Sequence, residues 1–197
     1  TDEGSRRHNA LELFFKTATI LPENEDLRPM ILNIASQYKS YYRIYNEQIL
    51  YDSDELTAGT GDMILVTTSH KKSPVDIGDF KNYNKGINQK EVNKDGSYRN
   101  EYMLGPLSHL QNSSYNKLCI QLSDYAYKFE KKTGRRIGKL FGHWISPENP
   151  LINFQIPCAY LKHEIIAMLE WRKNNAIPIQ SDHQKSVLSD FGSDFLK

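Results

Sequence analysis

The sequence predicts an α/β domain on three observations. Two strand-like segments, residues 58–66 and 75–81, place apolar and β-branched residues between Gly, Ser, Pro and Asn. Stretches of helical periodicity lie before and after that pair. The length of 197 residues suffices for one substantial core, and 39% hydrophobic with 25% charged residues is the composition of a globular chain. Residues 1–179 are therefore read as a single domain and 180–197 as a polar C-terminal tail.

In chain order, residues 5–19 carry Ala10, Leu11, Phe14, Phe15 and Ala18 at helical spacing, with Ser5 as the expected N-cap. Residues 25–40 repeat the pattern with Leu27, Met30, Ile31, Ile34 and Tyr38, and Pro29 is tolerable in a first turn. Residues 43–51 alternate as a strand should, with Tyr45, Glu47, Ile49 and Tyr51 on one side. A long polar stretch, residues 82–100, reads as loop, because Gly86, Gly96 and several Asn punctuate it. Leu118, Leu122, Tyr125, Ala126 and Phe129 then mark a helix over 114–132, closed by Thr133-Gly134. Strands over 136–146 and 153–160 and a last helix over 162–174 complete the order.

Charge and cysteine content narrow the chemistry. A formal net charge of +1 offers no global basic field, so any nucleic-acid partner must be met by a local surface. Between Lys128 and Lys139 six basic residues stand against the single acid Glu130, and Lys132, Arg135 and Arg136 are the expected phosphate contacts. Tyr83, in the polar loop, is a candidate for stacking on bases; the alternative is a merely solvated insertion. Cys119 and Cys158 stand apart with no Cys-x-x-Cys spacing, which disfavours a zinc ribbon or iron–sulfur cluster and suits a reducing compartment. No apolar run has membrane-spanning length, and no apolar signal region is visible near the N-terminus, so an intracellular setting is expected. The chain opens on Thr1 rather than Met, which leaves room for an upstream segment.

The chemistry concentrates in Gly59-x-x-Asp62 and Asp79-x-Lys81. Side chains alternate along a strand, so Ile77, Asp79 and Lys81 share one face while Phe80 points into the core. A hairpin joining the two segments brings Asp62 beside Asp79. Two adjacent carboxylates raise each other's pKa, and a divalent cation between them removes that cost. Hard oxygen donors favour Mg²⁺ or Mn²⁺.

Three groups of residues together resemble the PD-(D/E)XK nuclease superfamily, specifically its RecB-like branch. They are Gly4-Ser5-x-x-His8-x-x-x-Glu12, the Asp62 and Asp79-x-Lys81 set, and Gln121-x-x-x-Tyr125, continued by Ala126-Tyr127 and Lys132-Thr133-Gly134. The resemblance spans roughly residues 4–145 and lacks the four cysteines of the iron–sulfur subfamilies. It implies a restriction-endonuclease-like core, a mixed central β-sheet flanked by α-helices. It also implies a metal held by His8, Asp62, Asp79 and the main-chain carbonyl of Phe80. Lys81 would orient or deprotonate the attacking water, and Gln121 and Tyr125 would orient the site and touch the DNA backbone. Glu12 shares a helix face with His8. Glu47 occupies the place of a further family acid, or else faces solvent on an edge strand. The implied activity is a Mg²⁺- or Mn²⁺-dependent DNA exonuclease acting on single-stranded ends or flaps in recombination, repair or replication, similar to phage and mitochondrial genome maintenance exonucleases. The alternatives are a structure-specific or restriction-type endonuclease and a non-catalytic DNA-binding subunit with the same fold.

Overall fold

A computed structural model describes residues 2–52, 57–70, 72–82 and 86–175. Helices α1 (Asp2–Thr17) and α2 (Arg28–Tyr38) are joined through a 3-10 turn, Pro22–Leu27. Strands β1 (Arg43–Asp52), β2 (Thr57–Val66) and β3 (Val75–Lys81) follow, then a second 3-10 turn at Gly105–Leu107. Helix α3 (Ser114–Thr133), strands β4 (Ile137–Ile145) and β5 (Asn153–Cys158), and helix α4 (Lys162–Asn175) complete the order.

The five strands form one sheet in the order β1-β2-β3-β4-β5. Every pairing is antiparallel except β3 with β4, so the sheet is mixed. The parallel pair requires a crossover, which α3 provides. On one sheet face Met63, Leu65, Phe80, Phe141 and Ile145 pack with Leu11 of α1 and Met30, Ile31 and Ile34 of α2. On the other, Ile64, Val66, Val75, Ile77 and Leu140 pack with Leu118, Leu122, Tyr125 and Ala126 of α3. Strand β3 is buried along nearly its whole length because both layers cover it.

Local chemistry sets the ends. Ser113 caps α3 by accepting the Asn116 N–H at 3.2 Å, and Gly134, at φ 67°, closes it in the left-handed conformation. The N-terminal helix begins earlier than its periodicity suggested, so Ser5 lies inside it rather than capping it. Glu3, in its first turn, pairs with Arg6 and Arg7, and the buried Arg7 guanidinium donates to the carbonyls of Ser146 and Pro147. Those links hold the first turn against the body of the domain. Residues 22–27 wind as a 3-10 turn instead of opening α2, which starts next to Pro29. The described part of the 82–100 stretch is loop, with one isolated bridge between Val92 and Tyr98. The proposed tail, 180–197, lies outside the described residues.

A buried polar chain runs beneath the sheet. The His143 ring bonds the Tyr38 hydroxyl through Nδ1 and Asn153 Oδ1 through Nε2 at 3.0 Å. Burial pushes the imidazole down to about 4, so it is neutral in the native protein at neutral pH. An unfolded histidine keeps its ordinary value near 6.5. The folded state therefore binds fewer protons in that window, and stability present above pH 6.5 is lost as pH falls toward 4. The full shift corresponds to about 3 kcal/mol. Urea denaturation of wild type and His143→Gln across this range is expected to show the steeper acid loss in wild type. Parallel slopes would remove His143 as the cause.

Candidate active site

The site forms where β2 and β3 run side by side. Met63 faces Gly78 at the end of their antiparallel register, and just beyond that pair the Asp62 and Asp79 carboxyls lie close enough to interact. The Phe80 N–H donates to Asp62 Oδ2 at 2.9 Å. Burial, and then the charge of Asp79, push the Asp62 carboxyl up to about 7. Asp79 is 2% exposed. Its Oδ2 is buried and meets the Lys81 ammonium as an ion pair, without hydrogen-bond geometry.

Lys81 is held from a second side. Its Nζ donates to Gln121 Oε1 at 3.2 Å, and Gln121 Nε2 in turn donates to the Tyr125 hydroxyl at 3.0 Å. A spacing of four puts Gln121 and Tyr125 on one face of α3. That face meets β2 through glycine: a Cβ on Gly59 would come within 2.6 Å of Tyr125 Cε1. The missing side chains at Gly59 and Gly61 leave room for the tyrosine ring against the strand.

From the other layer, α1 presents His8. Its Nε2 is 3.0 Å from Glu47 Oε1, and its Nδ1 is 3.8 Å from Asp62 Oδ2. One ligand atom from each of His8, Glu47 and Asp62 lies within 4.8 Å of the others. An imidazole and two carboxylates on three separate elements, beside the buried Asp79, suit a small divalent cation. A cation here would offset the repulsion that burial has forced on the acids.

Glu47 reaches this position by an unusual backbone. Its φ is 49°, in the left-handed region that non-glycine residues seldom occupy. The β1–β2 register is otherwise constant, from Arg43 opposite Val66 to Tyr51 opposite Ala58, so no residue is inserted. The twist instead exchanges the strand's two faces. Ile44 packs with the α1–α2 core and the Asn46 amide reaches Glu12 O, whereas Leu50 belongs to the α3 core. Regular alternation groups Glu47 with Tyr45 and Tyr51 on an outer face. The reversal turns it inward instead, and no periodicity signal reports that.

Other expected residues stand elsewhere. The Glu12 carboxylate engages Lys16 and does not join His8. The Phe80 ring lies in the α1–α2 core, edge-on to His8 at 6.3 Å. Arg135 donates to Ser73 O at 2.9 Å, and Arg136 O accepts the Val75 N–H, so both sit at the opposite end of β3 from Lys81. Six residues of strand between them correspond to about 20 Å. Lys132 covers the Tyr51 ring at 4.0 Å on the β1–β2 hairpin. Lys128, counted in the basic patch, is buried and paired with Asp124 at 2.6 Å. The patch is thus partly structural. Tyr83 lies outside the described residues.

No family model matches the chain, and no curated protein matches it. Among solved structures it is similar to a "Putative exonuclease" from Eubacterium rectale, with a TM-score of 0.51 and 14% identity. The superposition covers 87% of this chain and 65% of that one, so the chain spans a little under two thirds of its neighbour's length. At that identity the likeness shows a shared fold: the mixed five-stranded sheet with helices on both faces. Among the described residues no helix is long and apolar enough to cross a membrane.

Proposed function

We propose that this protein is a divalent-cation-dependent deoxyribonuclease of the RecB-like PD-(D/E)XK type, an exonuclease that hydrolyses phosphodiester bonds at single-stranded ends or flaps. One observation carries the reading: Lys81 is clasped between the buried Asp79 and Gln121 while Asp79 interacts with the half-buried Asp62 of the adjacent strand. A structural ion pair would need neither the second, half-buried acid nor the glutamine–tyrosine relay. The fold neighbour's own name, "Putative exonuclease", points the same way.

In this reading His8, Glu47, Asp62 and Asp79 hold Mg²⁺ or Mn²⁺, with the Phe80 carbonyl as a further donor. Bound there, the ion supplies a Lewis acid that polarises the scissile phosphate. The protein's own groups do the rest. Asp79 and Gln121 fix the Lys81 ammonium at the edge of the site, where it stabilises charge gathering on the phosphoryl oxygens. Tyr125, its hydroxyl bonded to Gln121, keeps the glutamine oxygen aimed at Lys81. The Phe80 N–H orients Asp62.

End-labelled oligonucleotides in single-stranded, duplex and flapped form, incubated with Mg²⁺, Mn²⁺ or chelator, test the activity. Metal-dependent loss of label from free ends is the expected result. Degradation of closed circular single strands would overturn the exonuclease assignment in favour of an endonuclease, and no cleavage of any substrate would overturn the nuclease reading itself.

A further inference from the structure

Beside Lys81 lies a feature that the cation chemistry does not use. The loop between residues 101 and 113 folds back on itself: Tyr102 bridges to Gln111, the Met103 N–H donates to Leu110 O at 2.9 Å, and the Asn112 N–H donates to Glu101 O at 2.8 Å. The Asn116 side chain, on α3, donates to Gln111 O at 2.9 Å and fastens the loop to the helix. Between loop and helix runs an open groove of about 500 Å³, apolar on most of its surface. Tyr102, Met103, Leu104 and Ile120 line it, with Lys117 and Gln121 as polar members. Leu104 is 88% exposed and Tyr102 50% exposed. Both side chains line the one groove and leave their apolar faces open to a ligand.

Gln121 belongs to both places: its side chain contacts Lys81, and it forms one end of the groove. A strand whose phosphate reaches Lys81 therefore carries its adjoining nucleotide toward Tyr102. We propose that this groove receives the nucleobase next to the phosphodiester that is cut, stacking it on the Tyr102 ring, with Lys117 at the rim meeting the following phosphate. The inference rests on the nuclease reading above and adds to it the recognition of an unpaired base, because a base locked in a duplex presents no free face to the ring. Three properties fit that occupant. An aromatic and aliphatic lining accepts any base by its π-face. A cation at the rim complements a phosphate. The groove also shares Gln121 with the candidate active site. A protein segment would be equally content with the leucines but gains nothing from Lys117 or from adjacency to Lys81.

The test is anisotropy of a labelled single-stranded oligonucleotide titrated with protein in chelator, so that binding is read without cleavage. Tyr102→Ala is expected to weaken binding roughly tenfold and Tyr102→Phe to leave it nearly unchanged, the range found when a stacking aromatic is removed or kept. Oligonucleotides made abasic at successive end positions should locate one position at which Tyr102→Ala no longer matters. Leu104→Ser, a change at an exposed position, should weaken binding in the same direction and serves if the tyrosine variant fails to fold. Unchanged affinity in these variants, with wild type still binding and cutting, would overturn the groove proposal alone and turn the exposed leucine toward a protein partner. Wild type that neither binds nor cuts would overturn the nuclease reading and this inference with it.

Discussion

Lys81→Ala is expected to lower the rate of DNA cleavage by at least about a thousandfold while leaving affinity for an oligonucleotide within a few-fold of wild type. The reason is geometric. The Lys81 ammonium is fixed by Asp79 and Gln121, so it contributes charge where negative charge grows in the transition state, not where the ground-state strand is first held. Removing it leaves the buried Asp79 carboxylate without its paired cation, which weakens the site further. Single-turnover cleavage with saturating Mn²⁺, set beside binding in chelator, separates the two effects. Near-normal cleavage by this variant would end the assignment of Lys81.

Asp62→Asn is expected to stabilise the cation-free protein at neutral and alkaline pH. In the cation-free protein the Asp62 carboxyl sits at about 7 against an ordinary 3.8, so the folded state binds more protons between those values. The favourable contribution of this group is present below pH 3.8 and is lost as pH rises through about 7. Above that pH the wild type holds a half-buried charge beside Asp79 that asparagine does not. The shift corresponds to about 4 kcal/mol if it belonged to Asp62 alone, and about 2 kcal/mol is expected because the two acids titrate together. The asparagine oxygen can still accept the Phe80 N–H. The variant in chelator near pH 8 should therefore melt higher by about 4–8 °C. Added Mn²⁺ should raise the melting temperature of wild type and leave that of the variant in place. A variant that melts lower than wild type in chelator would show that Asp62 is a structural acid.

Much of this arrangement can be read from residue order because it depends on short-range rules. Register across the β2–β3 hairpin places Asp62 against Asp79, and a spacing of four on α3 places Gln121 over Tyr125. The amphipathic stripes of α2 and α3 anticipate which faces are buried. What resists such reading depends on tertiary contacts. Arg7 reaching Ser146 and Pro147 fixes where α1 begins. The burial of Lys128 follows from its pairing with Asp124 and from the packing of α3 on the sheet. Arg135 is drawn to Ser73 by the parallel pairing of β3 and β4, a partnership of residues far apart in the chain. The buried His143 between Tyr38 and Asn153 joins three elements, none of which carries a local mark of it.

The left-handed turn of the main chain at Glu47 bears on how related chains are to be compared. Counting in twos along β1 works up to Asn46 and works again from Gln48, but the two counts disagree about which side is which. An alignment that follows hydrophobic rhythm through this strand will therefore slide one half by a position and bury the wrong residues, although no amino acid has been gained or lost. Anyone transplanting the hairpin into another scaffold must carry that single torsion with it, or the acid it delivers will point at water.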